Sequence, residues 1–234
     1  MDAHETDNLI SHPARAEQIL DAAAELIARF GYKRVTMEDI ATQADLGRGT
    51  IYQYWKTREA LYTAVIEREF LAVIDEILSA IRRDPMEARL HRVVRAEFLA
   101  ILHHPVLRAI FTADASMLGK LSKGGLDQAL DAHKNIIFRE LLAQHGLLRG
   151  DVSAAELDYA LTATMIGFFS METFAEDREQ LDAQRQADLL ATTIQRTFEV
   201  EAAPEVIQAV APQISEFFTE IASNIQAHIR QAYE

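Results

Sequence analysis

The chain contains no cysteine, which excludes a disulfide framework as the source of its stability. Long apolar runs are missing too. Leu71 to Ile74 and Ala160 to Phe169 are broken well short of the about 18 to 20 residues that a membrane-spanning helix needs. The stretch Met1 to Ser11 is polar and acidic, with no basic then apolar pattern of a secretory signal. A cytoplasmic protein without a membrane partner is expected. Proline is scarce, with five residues in 234, and no run alternates apolar and polar residues as a half-buried strand would. An all-α fold follows, and the length suffices for a small unit joined to a larger one.

Net positive charge is also lacking. The formal charge is −13, which taken as an average argues against a nucleic-acid partner. The charge is segregated, however. Residues 29–58 hold Arg29, Lys33, Arg34, Arg48, Lys56 and Arg58 against Glu38, Asp39 and Asp45, a balance of +3, and the rest of the chain carries −16.

That basic segment has the pattern of short packed helices. A first helix is expected over about 13–30, with Ile19, Ala22, Ala23, Leu26, Ile27 and Phe30 on one face and Gly31 as a left-handed stop. Thr36-Met-Glu-Asp39 has the form of a capping box opening a second helix that ends near Ala44. Asp45-Leu-Gly47 then makes the turn into a third, Arg48 to Tyr54, and Thr57 is placed to cap a long fourth helix reaching about Arg83. Ile40, Leu46, Ile51 and Trp55 are spaced to fix the angle between the second and third helices. Such a unit lays its last helix in the major groove of DNA. Arg48, Thr50 and Gln53 are the candidates for base edges, with Gly49 permitting close backbone approach. Thr36, Tyr52, Tyr54, Lys56, Thr57 and Arg58 are of the types that hold phosphates. Tyr52 and Trp55 fit the core better than a contact, and Lys33 and Arg34 fit a solvated loop.

Residues 15 to 70 resemble the DNA-binding region of the tetracycline-repressor (TetR) family. The run is Ile19-Leu-Asp-Ala-Ala-Ala-Glu-Leu-Ile, then Phe30-Gly-Tyr, Val35-Thr-Met-Glu-Asp-Ile-Ala and Gly49-Thr-Ile-Tyr-Gln-Tyr-Trp-Lys-Thr-Arg-Glu-Ala-Leu-Tyr62. Two departures stand out: Trp55 occupies the place of the usual Phe, and the turn reads Asp-Leu-Gly-Arg-Gly where Gly-Val-Ser-Lys-Gly is common. The resemblance implies phosphate contacts at Thr36, Tyr54 and Arg58 and base reading by Arg48, Thr50 and Gln53. It implies a reading domain over 13–58, a bridging helix 58–83, and a helical effector-binding and dimerisation domain over 84–234.

In that second part, Asp84-Pro85 and His104-Pro105 look like helix starts near 85–102 and 105–117. Further helices are expected over 126–145, 154–175 and 183–200, the second opened by a Ser153 to Glu156 capping box. From Pro204 a last segment is expected to be kinked or divided at Pro212. Phe70, Ile74, Phe98, Leu102, Phe111, Met117, Phe138, Met165, Phe168 and Phe169 are candidates for a pocket suited to an apolar or aromatic effector, each also eligible as ordinary core. Ala160, Thr164, Gly167, Met171 and Phe174, with Leu190, Ile194 and Phe198, are candidates for a homodimer interface, again with intramolecular core as the alternative. His91, His103, His104 and His133 do not make a metal-ligand set, so neither metal nor cofactor is expected. Nothing has the form of a catalytic constellation. The sequence therefore reads as a repressor that binds a palindromic double-stranded operator as a homodimer and is released by a small molecule. An activator, or a regulator answering to a protein partner, is the alternative, and a carrier or enzyme with an incidental helix-turn-helix a distant one.

Overall fold

The computed structural model describes residues 12–112, 132–174 and 181–231. These form helices α1 (His12–Phe30), α2 (Met37–Gln43), α3 (Arg48–Tyr54), α4 (Arg58–Arg83), α5 (Leu90–His103), α6 (Pro105–Thr112), α7 (Ala132–Gln144), α8 (Ala154–Phe174), α9 (Ala183–Phe198) and α10 (Pro204–Gln231). Among the described residues no strand occurs beyond a single bridge between Leu148 and Glu199. The fold is all-α, as the patterning requires.

Local chemistry sets many of the helix ends. Gly31 and Gly146 sit at φ 77° and 68° and stop α1 and α7 in the left-handed region. Thr36 caps α2 reciprocally: its backbone N–H donates to Asp39 Oδ2 at 2.8 Å, and its side-chain oxygen accepts from the Asp39 N–H at 3.2 Å. Ser153 and Glu156 make the same box before α8. Thr57 accepts from the Ala60 N–H at 3.1 Å and caps α4.

Two elements differ from expectation. Asp84 accepts from the Met86 N–H and Pro85 follows, but the result is one 3-10 turn, Pro85–Ala88; the chain is extended at Arg89 and α5 begins only at Leu90. The break puts Arg89 and the His91 N–H against Glu199 at the end of α9, at 3.2 and 2.6 Å. Helix α10 also runs unbroken through Pro212. The proline ring faces solvent, as does Gln208, the residue four earlier whose carbonyl loses its donor, so water can replace the missing bond.

Helix α4 is the spine. Its apolar residues are buried nearly all round, from Leu61 through Ile81, because α1 lies on its first half, α5 and α6 on its flank, and α10 along its length. Three acidic residues of α4 fasten it to its neighbours or lie beside them. His228 Nδ1 meets the buried Glu67 at 2.7 Å, and His104 meets Glu69 at 2.8 Å and Glu76 at 3.5 Å. Helix α9 packs chiefly on α5, and α8 is sandwiched by α6, α7 and α9. Leu190, Ile194 and Phe198 are consumed by this packing. They are buried within the chain, so they belong to the intramolecular core and not to the dimer face expected for them.

Burial by itself would raise the Glu199 carboxyl, but hydrogen bonds from the His91 ring and backbone, with the His91 and Arg89 charges, hold it below its ordinary value. A depressed carboxyl stabilises the fold above the carboxylate range and stops doing so as pH falls through its own folded value. Glu199→Ala should therefore cost about 3 kcal/mol in denaturant melts at neutral pH. The gap between wild type and variant should narrow as the melts are repeated at progressively more acid pH.

Candidate nucleic-acid interface

The turn between α2 and α3 is built by the backbone. Asp45 takes φ 51°, the left-handed region, while the Leu46 N–H donates to the Ala41 carbonyl at 2.9 Å and the Asp45 N–H to that of Thr42 at 3.2 Å. These two bonds close the end of α2 in the manner of a Schellman motif and aim α3 away from it. Aspartate tolerates this conformation better than most residues other than glycine. Ile40, Ile51 and Trp55 are buried beneath α2 and α3, and the Gln18 side chain donates to the Ala44 carbonyl at 2.7 Å, locking α1 to the turn.

With Ile51 and Tyr54 buried, α3 presents Arg48, Gly49 and Gln53 as its exposed face, Tyr52 half-buried among them and Thr50 at its edge. A methyl group added at Gly49 would meet no atom of the chain, so packing does not demand glycine there. Arg48 lies over the Tyr52 ring, 5.4 Å from its centroid, donates to the Tyr52 hydroxyl at 3.4 Å and pairs with Glu38 of α2. Its guanidinium is thereby held at the mouth of the face, extended and pre-oriented. Lys56 donates to the Tyr52 carbonyl at 3.1 Å with its side chain exposed, and Thr36 and Thr57, both exposed, stand at the two flanking helix starts.

Two expected phosphate contacts are placed elsewhere. Tyr54 is only 3% exposed, stacked on His12 at 4.4 Å and on Trp55 at 5.8 Å. It is a core plug of the reading unit, because the turn of α3 that exposes Gln53 rotates its neighbour inward. Arg58 is half-buried and folded back. It donates to the Val35 carbonyl at 3.3 Å and lies over Tyr32 and Tyr62, 5.0 and 5.5 Å from their centroids. The Tyr62 hydroxyl donates to the same carbonyl at 2.8 Å, and burial pushes its phenol up. This Val35 latch, joining the loop before α2 to α4, is absent from the sequence expectations. Phe30-Gly-Tyr32, with a tyrosine opposite at 62, was the available signal. Arg68 adds a second tie, reaching Glu17 at 3.1 Å and Asp21 at 2.7 Å on α1.

Residues 19–65 match the family profile described as "Bacterial regulatory proteins, tetR family". Over these residues the chain is similar to the TetR family. The transcriptional repressor KstR of Rhodococcus jostii (strain RHA1) is 30% identical over 116 residues, covering 47% of this chain and 54% of that protein. YhgD, a transcriptional regulator of Bacillus subtilis (strain 168), is 30% identical over 106 residues, 44% of this chain and 54% of its own. The chain spans about half the length of these curated relatives, all named as regulators of transcription. Among solved structures, the fatty acid degradation regulator FadR of Bacillus halodurans superposes with a TM-score of 0.59 at 18% identity, over 77% of this chain and 94% of that one. SmeT of Stenotrophomonas maltophilia, repressor of a multidrug efflux pump, gives 0.59 at 20%, over 80% and 91%. At such identities the structures establish a shared fold alone.

The structure also gathers most of the expected pocket residues. Phe70 and Phe111 meet at 6.4 Å, Phe111 and Phe169 at 5.0 Å, Phe98 and Phe169 at 4.7 Å, and Phe98 and Phe168 at 6.3 Å. Ile74 is buried, and Leu102 and Met165 are packed against this core. Phe138 belongs to a different cluster, 5.8 and 5.4 Å from Phe217 and Phe218 of α10. Met117 lies outside the described residues, as do the side chains of His133 and Phe174. A groove of about 690 Å³, lined by Asp75, Glu76, Arg83, Arg95 and His103 among others, is polar and separate from the aromatic cluster. Among the described residues no three acidic or histidine side chains are placed to hold a metal ion, and none of the helices is long and apolar enough to cross a membrane.

Two variants separate reading from folding. Arg48→Ala should leave the melting temperature within about a degree, since an exposed side chain away from the core contributes little to stability, while weakening operator binding. Tyr54→Ala should cost about 3 kcal/mol or more in stability by emptying a core site. Differential scanning calorimetry beside an anisotropy titration distinguishes the two.

Proposed function

We propose that the chain is a transcriptional repressor that binds a palindromic operator as a homodimer and leaves it when a small apolar or aromatic molecule occupies the helical body around α4. The observation that carries this reading is the α3 face: Arg48 oriented by Glu38 and Tyr52, with Gln53 beside it and Thr50 at the edge. An arginine fork suits a guanine edge and a glutamine an adenine. The repressor KstR among its relatives supports the negative sign of regulation.

One reading unit offers few base contacts, and two related by a dyad double them on a palindrome. Helix α8 supplies a face for the dyad. Tyr159 is 77% exposed, Ile166 50% and Met171 44%, with Ala163 and Gly167 exposed on the same side. Large apolar side chains exposed in one stripe on a soluble fold mark an interface. Ala160 and Thr164 are half-buried at its edge. The Thr164 hydroxyl turns back to the Ala160 carbonyl at 2.7 Å and presents a methyl outward.

Transmission follows from the packing. Helix α6, which carries Phe111, touches both α1 and α4, and α4 enters the reading unit through the Val35 latch. A molecule wedged among the aromatic rings displaces α6 and α4, and the displacement reaches α3 with little loss because α1 and α4 are tied by Arg68. Two reading helices about 34 Å apart match successive major grooves, so a small rotation suffices to break the match. Coupling of about 1–3 kcal/mol changes operator affinity about 5- to 150-fold.

The test is anisotropy binding to intergenic DNA flanking the gene, with salt varied. A specific, salt-sensitive complex of one dimer per palindrome is expected, and Ile166→Asp should give a monomer by light scattering with operator affinity down by about a hundredfold. Binding that ignores both sequence and salt contradicts the proposal.

A further inference from the structure

Glu97 is placed where helical patterning calls for an apolar residue. On α5 it stands in the middle of the inward face formed by Leu90, Val93, Val94, Ala100 and Ile101, all buried, with Phe98 and Leu102 at the edge of the same face. Its nearest counter-charge is Arg139 of α7, which burial and an ion pair with Asp158 of α8 already commit. Among the described residues Glu97 has no hydrogen-bonding or ion-pairing partner. A carboxylate at such a place costs stability unless something satisfies it.

Two further properties locate the carboxyl. Burial drives it up to about 7, with Arg139 drawing it the other way, and yet the side chain keeps an intermediate accessible surface. Phe98, the next residue, meets Phe169 at 4.7 Å and Phe168 at 6.3 Å, so Glu97 borders the aromatic cluster. Phe111, Met165 and Phe168 share this intermediate exposure while packing on the core. The border of the aromatic cluster thus carries one uncommitted carboxyl.

We propose that Glu97 is the polar anchor of the effector chamber and that the effector it selects is an apolar molecule carrying a protonated amine. The proposal rests on the effector-released reading above and narrows its chemistry. Arg139 is neutralised by Asp158, so an ionised Glu97 is the surplus charge of the chamber. A cation satisfies it, and the rings of Phe98, Phe111 and Phe168 favour a cation over an anion. An anionic ligand meets repulsion from the same carboxylate. Binding of an ammonium group draws the carboxyl to its ionised form, so a proton leaves the protein as the amine enters.

Calorimetric titration of the intact dimer with phenylbutylamine, phenylbutanol and phenylbutanoate tests this. The amine should bind, the acid should not, and Glu97→Gln should weaken the amine by at least about tenfold while leaving the alcohol unchanged. Near neutral pH the heat of amine binding should vary with the ionisation heat of the buffer, reporting proton release, and this variation should vanish in Glu97→Gln and Glu97→Leu. Binding of the alcohol without the amine keeps an effector chamber and removes the amine assignment. An amine affinity that Glu97→Gln leaves intact, a preference for the acid, or no binding by any of the three overturns the proposal.

Discussion

One backbone carbonyl ties the loop before α2 to the long helix α4. The oxygen of Val35 accepts from the Tyr62 hydroxyl and from Arg58, and both donors lie in the first turns of α4. Those bonds fix the loop before α2 to the first turns of the spine, and with it the start of α2. Tyr32, tilted against Tyr62 with centroids 4.7 Å apart, helps exclude water from the latch, which makes each hydrogen bond stronger and its loss dearer. Arg58, expected at a phosphate, is therefore a structural part of this latch.

The rest of the architecture makes α4 stiff. Its buried acidic residue Glu67 is met by His228 from the last helix, and His104 bridges Glu69 and Glu76 from the start of α6. These contacts fasten the helix at several points along its length. The acidic surface outside residues 29–58 has a complementary consequence. A nucleic-acid partner would meet repulsion from that surface and attraction only along residues 29–58.

Much of the reading unit was legible before any coordinates, because its signals are local. Gly31, the Thr36 to Asp39 box, the Asp45 turn and Thr57 each act within a few residues, and each set an element boundary as expected. Readings that depended on a distant partner fared differently. Whether Tyr54 faces solvent is decided by His12 and Trp55, and whether Leu190, Ile194 and Phe198 meet a second subunit is decided by α5. Pro85 began a helix-like turn whose continuation was settled by Glu199, over a hundred residues away. Glu97 was the clearest missed signal. A charged residue in the inward register of an otherwise apolar helix was readable from Leu90, Val94 and Ile101, but periodicity alone does not tell a solvated charge from a buried one.

The central claim is that a ligand in the helical body changes the separation of two reading helices through α4. Because the chain has no cysteine, a single Thr42→Cys places one spin label per protomer at an exposed position on α2, beside α3. Electron–electron double resonance on the labelled dimer should give one narrow distance distribution with operator DNA and a shifted or broadened one when a ligand that releases the operator is added. A distribution that stays the same while the operator is released would contradict the account.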